Sequence, residues 1–271
     1  MSILVIGASG RIGEKLVYNL RQESCRVVEA SPSLGVDSVT GVGLAKAVSD
    51  AEIVIDVSDS PSSGGEEALA FFGRSGLNIL TAAREARVRH VIALSIVGLE
   101  RLLGGGYFRA KKRQEDQIIG SGLPYTILRS TQFFELIVDL AQRSPASDVP
   151  IPPVLVQPIS SDDIADALTE IALGRPQNRT LEVAGPERLR LDELAVLVLA
   201  AYEDPRRIVA DSHAPYFGAT LGDRSLVPDK HARLASSRFE DWLRQTLQPT
   251  AHFPLEWRRR AQRPVMSHTK V

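Results

Sequence analysis

Three side chains in the middle of the chain, Ser95, Tyr107 and Lys111, have the chemical types of an acid–base site. Lys111 follows Tyr107 by four residues, so on a helix the ammonium and the phenol lie on the same face. Tyrosine has a reference pKa near 10, and its use near pH 7 requires a decrease of about 3 units, or roughly 4 kcal/mol, which nearby positive charge supplies. The Ser95 hydroxyl can hydrogen-bond a carbonyl or alkoxide oxygen. These residues therefore predict proton transfer to an oxygen.

The first element that must position such a site is a glycine-rich turn near the amino terminus. A short apolar run, 3–6, is followed by Gly7, Gly10 and Gly13, and then by an amphipathic stretch, 14–22. This order predicts a strand, a tight turn and a helix start, with a phosphate site between them. Gly7 permits the turn, Gly10 lets the backbone approach a pyrophosphate, and Gly13 lets the helix pack on the strand. The other loop residues predicted to contact the bound ligand are Ser9, Arg11 and Ile12.

Apolar runs alternate with amphipathic stretches along most of the chain. The predicted strands are 3–6, 26–30, 52–57, 91–94, 124–128, 155–159 and 180–184. The predicted helices are 14–22, 43–49, 66–87, 107–119, 133–142, 162–173, 191–202 and 238–247. Two stretches, 144–153 and 205–235, are predicted to lack regular structure. Continuous apolar strands separated by helices are typical of an α/β fold in which a doubly wound parallel sheet is covered on both faces.

Composition restricts the class of partner. The chain has 271 residues, 44% of them hydrophobic, and a net charge of -1 from 32 basic and 33 acidic residues. This balance provides no general attraction to nucleic acid or to an anionic membrane, and we expect neither as a partner. The single cysteine, Cys25, excludes an intrachain disulfide, and the five histidines are too dispersed for a metal site. Without a signal-like or membrane-spanning apolar run, we expect a cytoplasmic protein.

The glycine turn, Ser95, Tyr107 and Lys111 together resemble the short-chain dehydrogenase/reductase superfamily, and residues 1 to about 247 resemble its atypical NmrA-like branch. The segments most similar to that branch are Tyr-Phe-Arg-Ala-Lys (107–111), Ser-Gly-Leu-Pro-Tyr-Thr-Ile-Leu-Arg (121–129) and Thr-Gln-Phe-Phe-Glu (131–135). The resemblance implies a Rossmann-type fold, a bound nicotinamide dinucleotide, and a substrate cleft between the strand ends and the C-terminal segments.

The resemblance also implies a division of the chain. We expect one NAD(P)-binding domain over 1–248, with a cofactor half at about 1–130. Substrate or lid segments are expected at about 131–153 and 185–248. The remaining residues, 249–271, fall outside the resemblance and contain the basic run 257–260, Trp-Arg-Arg-Arg. We predict a flexible tail there, with a basic contact for a partner as the alternative.

In the superfamily, the positions of Ser95, Tyr107 and Lys111 act as the carbonyl-orienting serine, the acid–base tyrosine and the lysine that holds the cofactor ribose. The alternative is that Tyr107 packs at a helix start and that Lys111 binds only ribose or solvent. NmrA-like proteins often lack a complete catalytic triad, so both interpretations stay open.

Cofactor preference depends on the end of the second strand, where NAD-specific relatives carry an acid for the ribose hydroxyls. Ser31 at that position does not repel a 2′-phosphate, and Arg11 offers a cation, which together favour NADP over NAD. Glu29 argues against this preference. If the second strand ends two residues earlier, the Glu29 carboxylate takes the position that binds the ribose hydroxyls of NAD. By resemblance, Asp37 lies at the adenine, with a plain turn-forming role as the alternative. Val57 and Ser58 are expected to pass beneath the ribose and phosphates.

Gln132, Phe133 and Phe134 follow the fifth strand, at the sheet edge where ligands of such folds bind. We expect them to line a pocket for a flat carbonyl or quinone-like substrate, with burial in the core as the alternative for the two aromatics. Residues 216–218 are predicted to form part of a lid.

Two functions are compatible with these features. The first is an NAD(P)H-dependent oxidoreductase, and the second is a non-catalytic dinucleotide sensor with a regulatory protein partner. A homodimer is compatible with both. A sugar-nucleotide epimerase is less favoured, because that branch usually carries a larger C-terminal substrate domain.

Overall fold

A seven-stranded, all-parallel sheet forms the centre of the computed structural model, which describes residues 1–247. Its strand order is β11-β8-β5-β4-β3-β1-β2. These strands are β1 (Ser2–Ile6), β2 (Arg26–Ala30), β3 (Ile53–Asp56), β4 (His90–Ile96), β5 (Tyr125–Ser130), β8 (Arg179–Ala184) and β11 (Arg233–Leu234). The predicted tail, 249–271, lies outside the described residues.

Helices cover both faces of this sheet, as the continuous apolar strands require. One face packs against α1 (Arg11–Gln22) and α6 (Ser161–Leu173). The other face packs against α2 (Leu44–Val48), α3 (Gly65–Glu85) and α4 (Gly106–Gly120). The predicted doubly wound α/β fold is confirmed. Among residues 1–247, no helix has the length and apolar character needed to cross a membrane.

The direction of strand order reverses at β1. From β1 the chain moves outward to β2, and from β3 it moves in the opposite direction through β4 and β5. In an open parallel sheet, such a reversal opens a crevice at the carboxyl ends of the strands, where ligands bind. The glycine turn follows β1 and therefore lies at this crevice.

A second hydrophobic core lies beyond β5, built from the later part of the chain together with Leu99, Leu102 and Phe108. It contains α5 (Phe134–Gln142), β6 (Asp148–Ile151), β7 (Leu155–Val156), β9 (Leu189–Arg190), α7 (Leu191–Ala201), β10 (Arg207–Ala210) and α8 (Phe239–Leu247).

Three predictions about this later part were wrong. The stretch 144–153 contains β6, and 205–235 contains β10 and β11. β6 and β10 pair with each other in parallel, from Asp148 with Arg207 to Ile151 with Ala210. Each strand is four residues long, so neither shows enough alternation to be recognised without its distant partner. The strand predicted over 155–159 ends at Val156.

Candidate active site

The glycine turn is fixed at both ends by the fold. Gly7 has a φ of 83°, and its N–H donates to the Ala30 carbonyl at 2.9 Å, which joins the turn to the end of β2. A Cβ built on Gly7 would lie 2.8 Å from the Ser58 backbone nitrogen. A Cβ built on Gly13 would lie 2.1 Å from the Gly7 carbonyl oxygen. Both positions therefore exclude a side chain for reasons internal to the protein.

Gly10 differs because little of the protein occupies the space beside its Cα. A built Cβ would meet only the Gly7 carbonyl oxygen, at 3.2 Å. Gly10 is also the N-cap of α1, and no side chain caps that helix. The first N–H groups of a helix lack intrahelical partners and carry partial positive charge, which favours an anion. The turn therefore fits a pyrophosphate. Beside it, Ser9 and Arg11 are exposed, whereas Ile12 is buried.

The end of β2 presents a serine rather than an acid. Ser31 is buried, and its Oγ lies 2.9 Å from Ser33 Oγ. The carboxylate of Glu29, the residue considered as an NAD ligand, forms a salt bridge with Arg21 of α1. Position 31 thus carries no acidic side chain. The nearest acidic residue along the strand, Glu29, is already paired with Arg21.

Arg11 and Asp37 both have partners within the protein. The Arg11 guanidinium lies 3.6 Å from the Asp139 carboxylate of α5, and both side chains are partly exposed. Asp37 Oδ1 accepts the N–H of Val39 at 2.8 Å and that of Thr40 at 3.3 Å. These hydrogen bonds hold the pKa of Asp37 below its usual value, the Val39 N–H contributing most. Asp37 thus forms a turn, and its contact with the adenine stays a prediction.

Val57 and Ser58 lie directly against the glycine turn. The Val57 N–H donates to the Ile6 carbonyl at 3.0 Å, continuing the pairing of β3 with β1. Asp56 Oδ1 accepts both the Ser58 N–H at 3.0 Å and the Ser58 hydroxyl at 2.6 Å. The segment is therefore held rigidly at the crevice, beside the turn.

Tyr107, near the start of α4, donates its hydroxyl proton to Asp59 Oδ1 at 2.8 Å. Burial, together with the negative charge of Asp59, raises the pKa of Tyr107 well above its ordinary value. This direction is opposite to the decrease that use near pH 7 requires. Its ring contacts three others, those of Phe72, Phe108 and Phe217.

Lys111 lies on the same face of α4 as Tyr107, since Phe72 contacts both side chains. The ammonium is buried and donates to the Leu94 carbonyl at 2.9 Å and to Gln114 Oε1 at 2.6 Å. Burial lowers the pKa of Lys111, and nearby carboxylates, Asp59 first, act in the opposite direction. Both partners of the ammonium belong to the protein itself.

Ser95 lies near the carboxyl end of β4, next to the carbonyl that Lys111 contacts. Its Oγ is buried and has no hydrogen-bond partner within residues 1–247. Thr131 Oγ1 and Gln132 Oε1, just beyond β5, are likewise buried without a partner there. An unpaired buried polar atom costs about 1–3 kcal/mol, so such atoms at a ligand-binding edge suit polar groups of a ligand.

The three predicted pocket residues after β5 have different surroundings. Gln132 is buried at the edge, and Phe133 is half-buried at the N-cap of α5. Phe134 is fully buried, and its ring centroid lies 5.3 Å from that of Phe239 and 5.4 Å from that of Trp242. The prediction that Phe134 lines the pocket is therefore wrong. Phe134 is the first residue of α5, and its side chain lies on the helix face that packs into the second core.

The predicted lid residues form a tight turn against Tyr107. The Ala219 N–H donates to the Tyr216 carbonyl at 2.9 Å, closing the turn. Tyr216 is buried and stacks on Phe108 at 6.1 Å, and burial raises its pKa. The Phe217 ring lies 5.8 Å from that of Tyr107. These rings form a continuous aromatic cluster at the start of α4.

Sequence reasoning missed Asp59 and Gln114. Gln114 follows Lys111 by three residues on a helix, so their contact follows from helical spacing. Its second contact, from Nε2 to Asp56 Oδ2 at 2.8 Å, joins α4 to the end of β3. Asp59 carries no such signal, because 48 residues separate it from Tyr107.

The fold and the glycine turn define a dinucleotide-binding protein of the Rossmann type. The model of the NAD(P)H-binding family matches residues 7–174, more than half of the chain, and the chain belongs to that family. The family match and the fold agree with the NAD(P)-binding Rossmann-type domain that the resemblance to the atypical short-chain dehydrogenase/reductase group implies.

One relative by sequence is the (4-alkanoyl-5-oxo-2,5-dihydrofuran-3-yl)methyl phosphate reductase of Streptomyces griseus, 25% identical over 70% of each chain. The dTDP-4-dehydrorhamnose reductase of Bacillus anthracis, solved with NADP, has a TM-score of 0.69 at 14% identity over 90% of this chain and 97% of that one. An NADPH-dependent quinone oxidoreductase of Escherichia coli has a TM-score of 0.64 at 15% identity over 92% and 100%. Reductases and sugar-nucleotide epimerases therefore share this fold.

Proposed function

We propose that this protein is an NADPH-dependent reductase of a small conjugated carbonyl or quinone-like compound. Support for catalysis comes from the end of β4. There Lys111 Nζ contacts the Leu94 carbonyl, Ser95 Oγ lacks a partner among the described residues, and Tyr107 lies one helical turn before Lys111. The sequence relative that reduces a conjugated, phosphorylated furanone supports the substrate class.

Each group has a distinct proposed role. A bound NAD(P)H supplies the hydride that adds to the electrophilic carbon of the substrate. Ser95 donates a hydrogen bond to the carbonyl oxygen, and Tyr107 transfers its proton to the oxygen that becomes negative. The raised pKa keeps Tyr107 protonated at neutral pH but makes it a weak acid, so proton transfer requires nearby positive charge to lower that pKa during the reaction. Tyr107 then regains a proton from water.

The preference for NADPH is supported by the end of β2. Ser31 carries no charge to repel a 2′-phosphate, and the Glu29 carboxylate is engaged by Arg21. A fluorescence titration with NADPH and with NADH measures this preference directly. Tighter binding of NADH would contradict it.

Tyr107→Phe tests the catalytic proposal. The variant removes the proton donor but retains the ring contacts, so we expect kcat to fall roughly 100-fold in a carbonyl and quinone screen. Tyr18→Phe, on the exposed side of α1, is the matched control and retains full activity. An active Tyr107→Phe enzyme removes the tyrosine from the mechanism.

A second candidate is a non-catalytic dinucleotide sensor that acts through a protein partner. It is favoured by the buried Lys111 ammonium, which donates hydrogen bonds to Leu94 and Gln114, and by the hydrogen bond that the Tyr107 hydroxyl donates to Asp59. Micromolar or tighter cofactor binding without turnover across the screen would select this candidate.

A further inference from the structure

We propose that Arg143 binds a phosphate monoester on the substrate and so selects anionic conjugated carbonyl compounds. The inference rests on the proposed function and deepens it, because it assigns a substrate class to the same candidate site. It comes from the position, the free charge and the surroundings of this one side chain.

The position of Arg143 links the two ends of the crevice. It is the C-cap of α5, one helical turn after Asp139, which pairs with Arg11 beside the glycine turn. Residues four apart lie on one helix face, so the face of α5 that reaches the glycine turn also presents Arg143. Its guanidinium carbon lies 5.2 Å from the centroid of the Phe217 ring. That ring is the one that contacts Tyr107, at 5.8 Å.

The charge of Arg143 is available to a ligand. The side chain is exposed, and no carboxylate within residues 1–247 forms a salt bridge with it. A cation–π contact uses the positive charge but none of the N–H donors, which keep the planar fork that binds phosphate through two oxygens. The positive charge also acts on the buried Tyr216 hydroxyl, lowering its pKa against the effect of burial.

The Phe217 backbone, beside Arg143, has a strained conformation that fixes the direction of the Phe217 ring. Phe217 has a φ of 48°, in the left-handed region that a bulky aromatic residue rarely adopts. Such a conformation costs on the order of 1–3 kcal/mol and persists only where the surrounding structure enforces it. Here the buried Tyr216, stacked on Phe108, anchors the turn. The result is one aromatic ring in contact with both the proposed proton donor and the Arg143 guanidinium.

These distances set the length of the ligand that can reach both groups. A small molecule with its phosphate on Arg143 and its carbonyl oxygen at Tyr107 extends over a single aromatic ring. The substrate would therefore carry its phosphate a few bonds from the reacting carbon.

The test uses one conjugated ketone with a primary alcohol and the phosphate monoester of that alcohol, in a buffer without phosphate. We expect wild-type kcat/KM to be higher for the ester, and the ester-to-alcohol ratio to fall roughly tenfold or more in Arg143→Ala, mainly through KM. Arg143→Lys retains part of the preference. Arg113→Ala is the matched control, since Arg113 on α4 is also exposed and forms no salt bridge within the described chain.

Three results would overturn the inference. They are a wild-type enzyme without ester preference, an Arg143→Ala ratio equal to that of the wild type, and an Arg143→Ala variant whose NADPH Kd rises while the ratio stays constant. The last result would assign the cation to the cofactor. If neither ketone is reduced, the proposed function fails separately, and calorimetric titration with inorganic phosphate decides the site. Binding to the wild type that Arg143→Ala abolishes supports the site, and equal binding overturns it.

Discussion

The Tyr107 hydroxyl donates a hydrogen bond to Asp59 Oδ1 at 2.8 Å, which joins the start of α4 to the loop after β3. This loop also carries Ser58, whose backbone lies against the glycine turn. The candidate proton donor and the glycine turn are therefore connected through a single short segment. A negative charge placed beside a phenol stabilises its protonated form.

Asp59→Asn should lower the pKa of Tyr107, because it removes the negative charge while keeping a hydrogen-bonding group. The limb of the pH–rate profile that reports ionisation of Tyr107 should then move to lower pH. Activity that depends on the protonated phenol would be lost earlier as the pH rises. Asp116→Asn, on the exposed side of the same helix, is the control and should leave the limb in place. Identical profiles for both variants would show that Asp59 does not influence the tyrosine.

Gly10→Ala and Gly13→Ala should separate ligand binding from folding. The Cβ at Gly10 meets only the Gly7 carbonyl, at 3.2 Å, so a small backbone adjustment accommodates it and the fold is retained. The methyl group should instead hinder the dinucleotide and raise its Kd about tenfold or more. The Cβ at Gly13 lies 2.1 Å from the same oxygen, which should destabilise the protein by roughly 1–3 kcal/mol. Thermal denaturation and cofactor titration distinguish the two effects. Equal losses of stability would contradict the assignment of Gly10 to the ligand.

Arg129→Met should strongly destabilise the protein, because Arg129 joins β5 to α4. Arg129 forms a bidentate pair with Glu115 of α4, at 2.8 and 2.6 Å, and the Glu115 side chain is only 2% exposed. Removing one partner leaves a buried unpaired charge, a loss of about 3–5 kcal/mol. For a chain of this length, Tm should fall by about 10 °C.

The double variant Arg129→Met with Glu115→Met is the test of that explanation. Removing both charges should restore most of the Tm, because no buried carboxylate is left unpaired. Arg244→Met breaks the exposed pair with Asp241 and should change Tm very little. A double variant as unstable as the single one would attribute the loss to packing instead.

Stability should decrease as the pH falls from about 6.5 to 4, in part because of His90. Burial lowers the pKa of His90 to about 4, whereas an unfolded histidine titrates near 6.5. The unfolded state therefore binds a proton first, so the stabilisation is complete above pH 6.5 and is lost as the pH falls to 4. The pKa shift corresponds to a loss of about 3 kcal/mol for this buried side chain.

His90→Gln should reduce this pH dependence, measured by urea denaturation at pH 7 and pH 4.5. The His90 Nε2 atom lies 2.9 Å from Thr126 Oγ1, which also accepts the Gln177 N–H. The Thr126 hydroxyl proton is thus free to point to a neutral imidazole. His213→Gln, at a side chain 91% exposed, is the control. An unchanged slope in His90→Gln would assign the acid sensitivity to other groups.

Local sequence patterns determined the sheet, its covering helices and the glycine turn. Continuous apolar runs identified β1 to β5, and the spacing of Gly7, Gly10 and Gly13 located the turn. Helical spacing also put Tyr107 and Lys111 on one face of α4. These features depend on residues within a few positions of one another, and the sequence displays such relationships directly.

Only the tertiary structure decided what surrounds those groups. Asp59 reaches Tyr107 across 48 residues, and the β6–β10 pair joins strands that are too short to recognise alone. The Phe134 side chain packs into the second core, and the Phe217 ring contacts both Tyr107 and Arg143. Burial and distant charge set the pKa of a side chain, and both arise from chain segments that meet only on folding. The sequence thus determined which groups are present, and the fold determined their protonation and their partners.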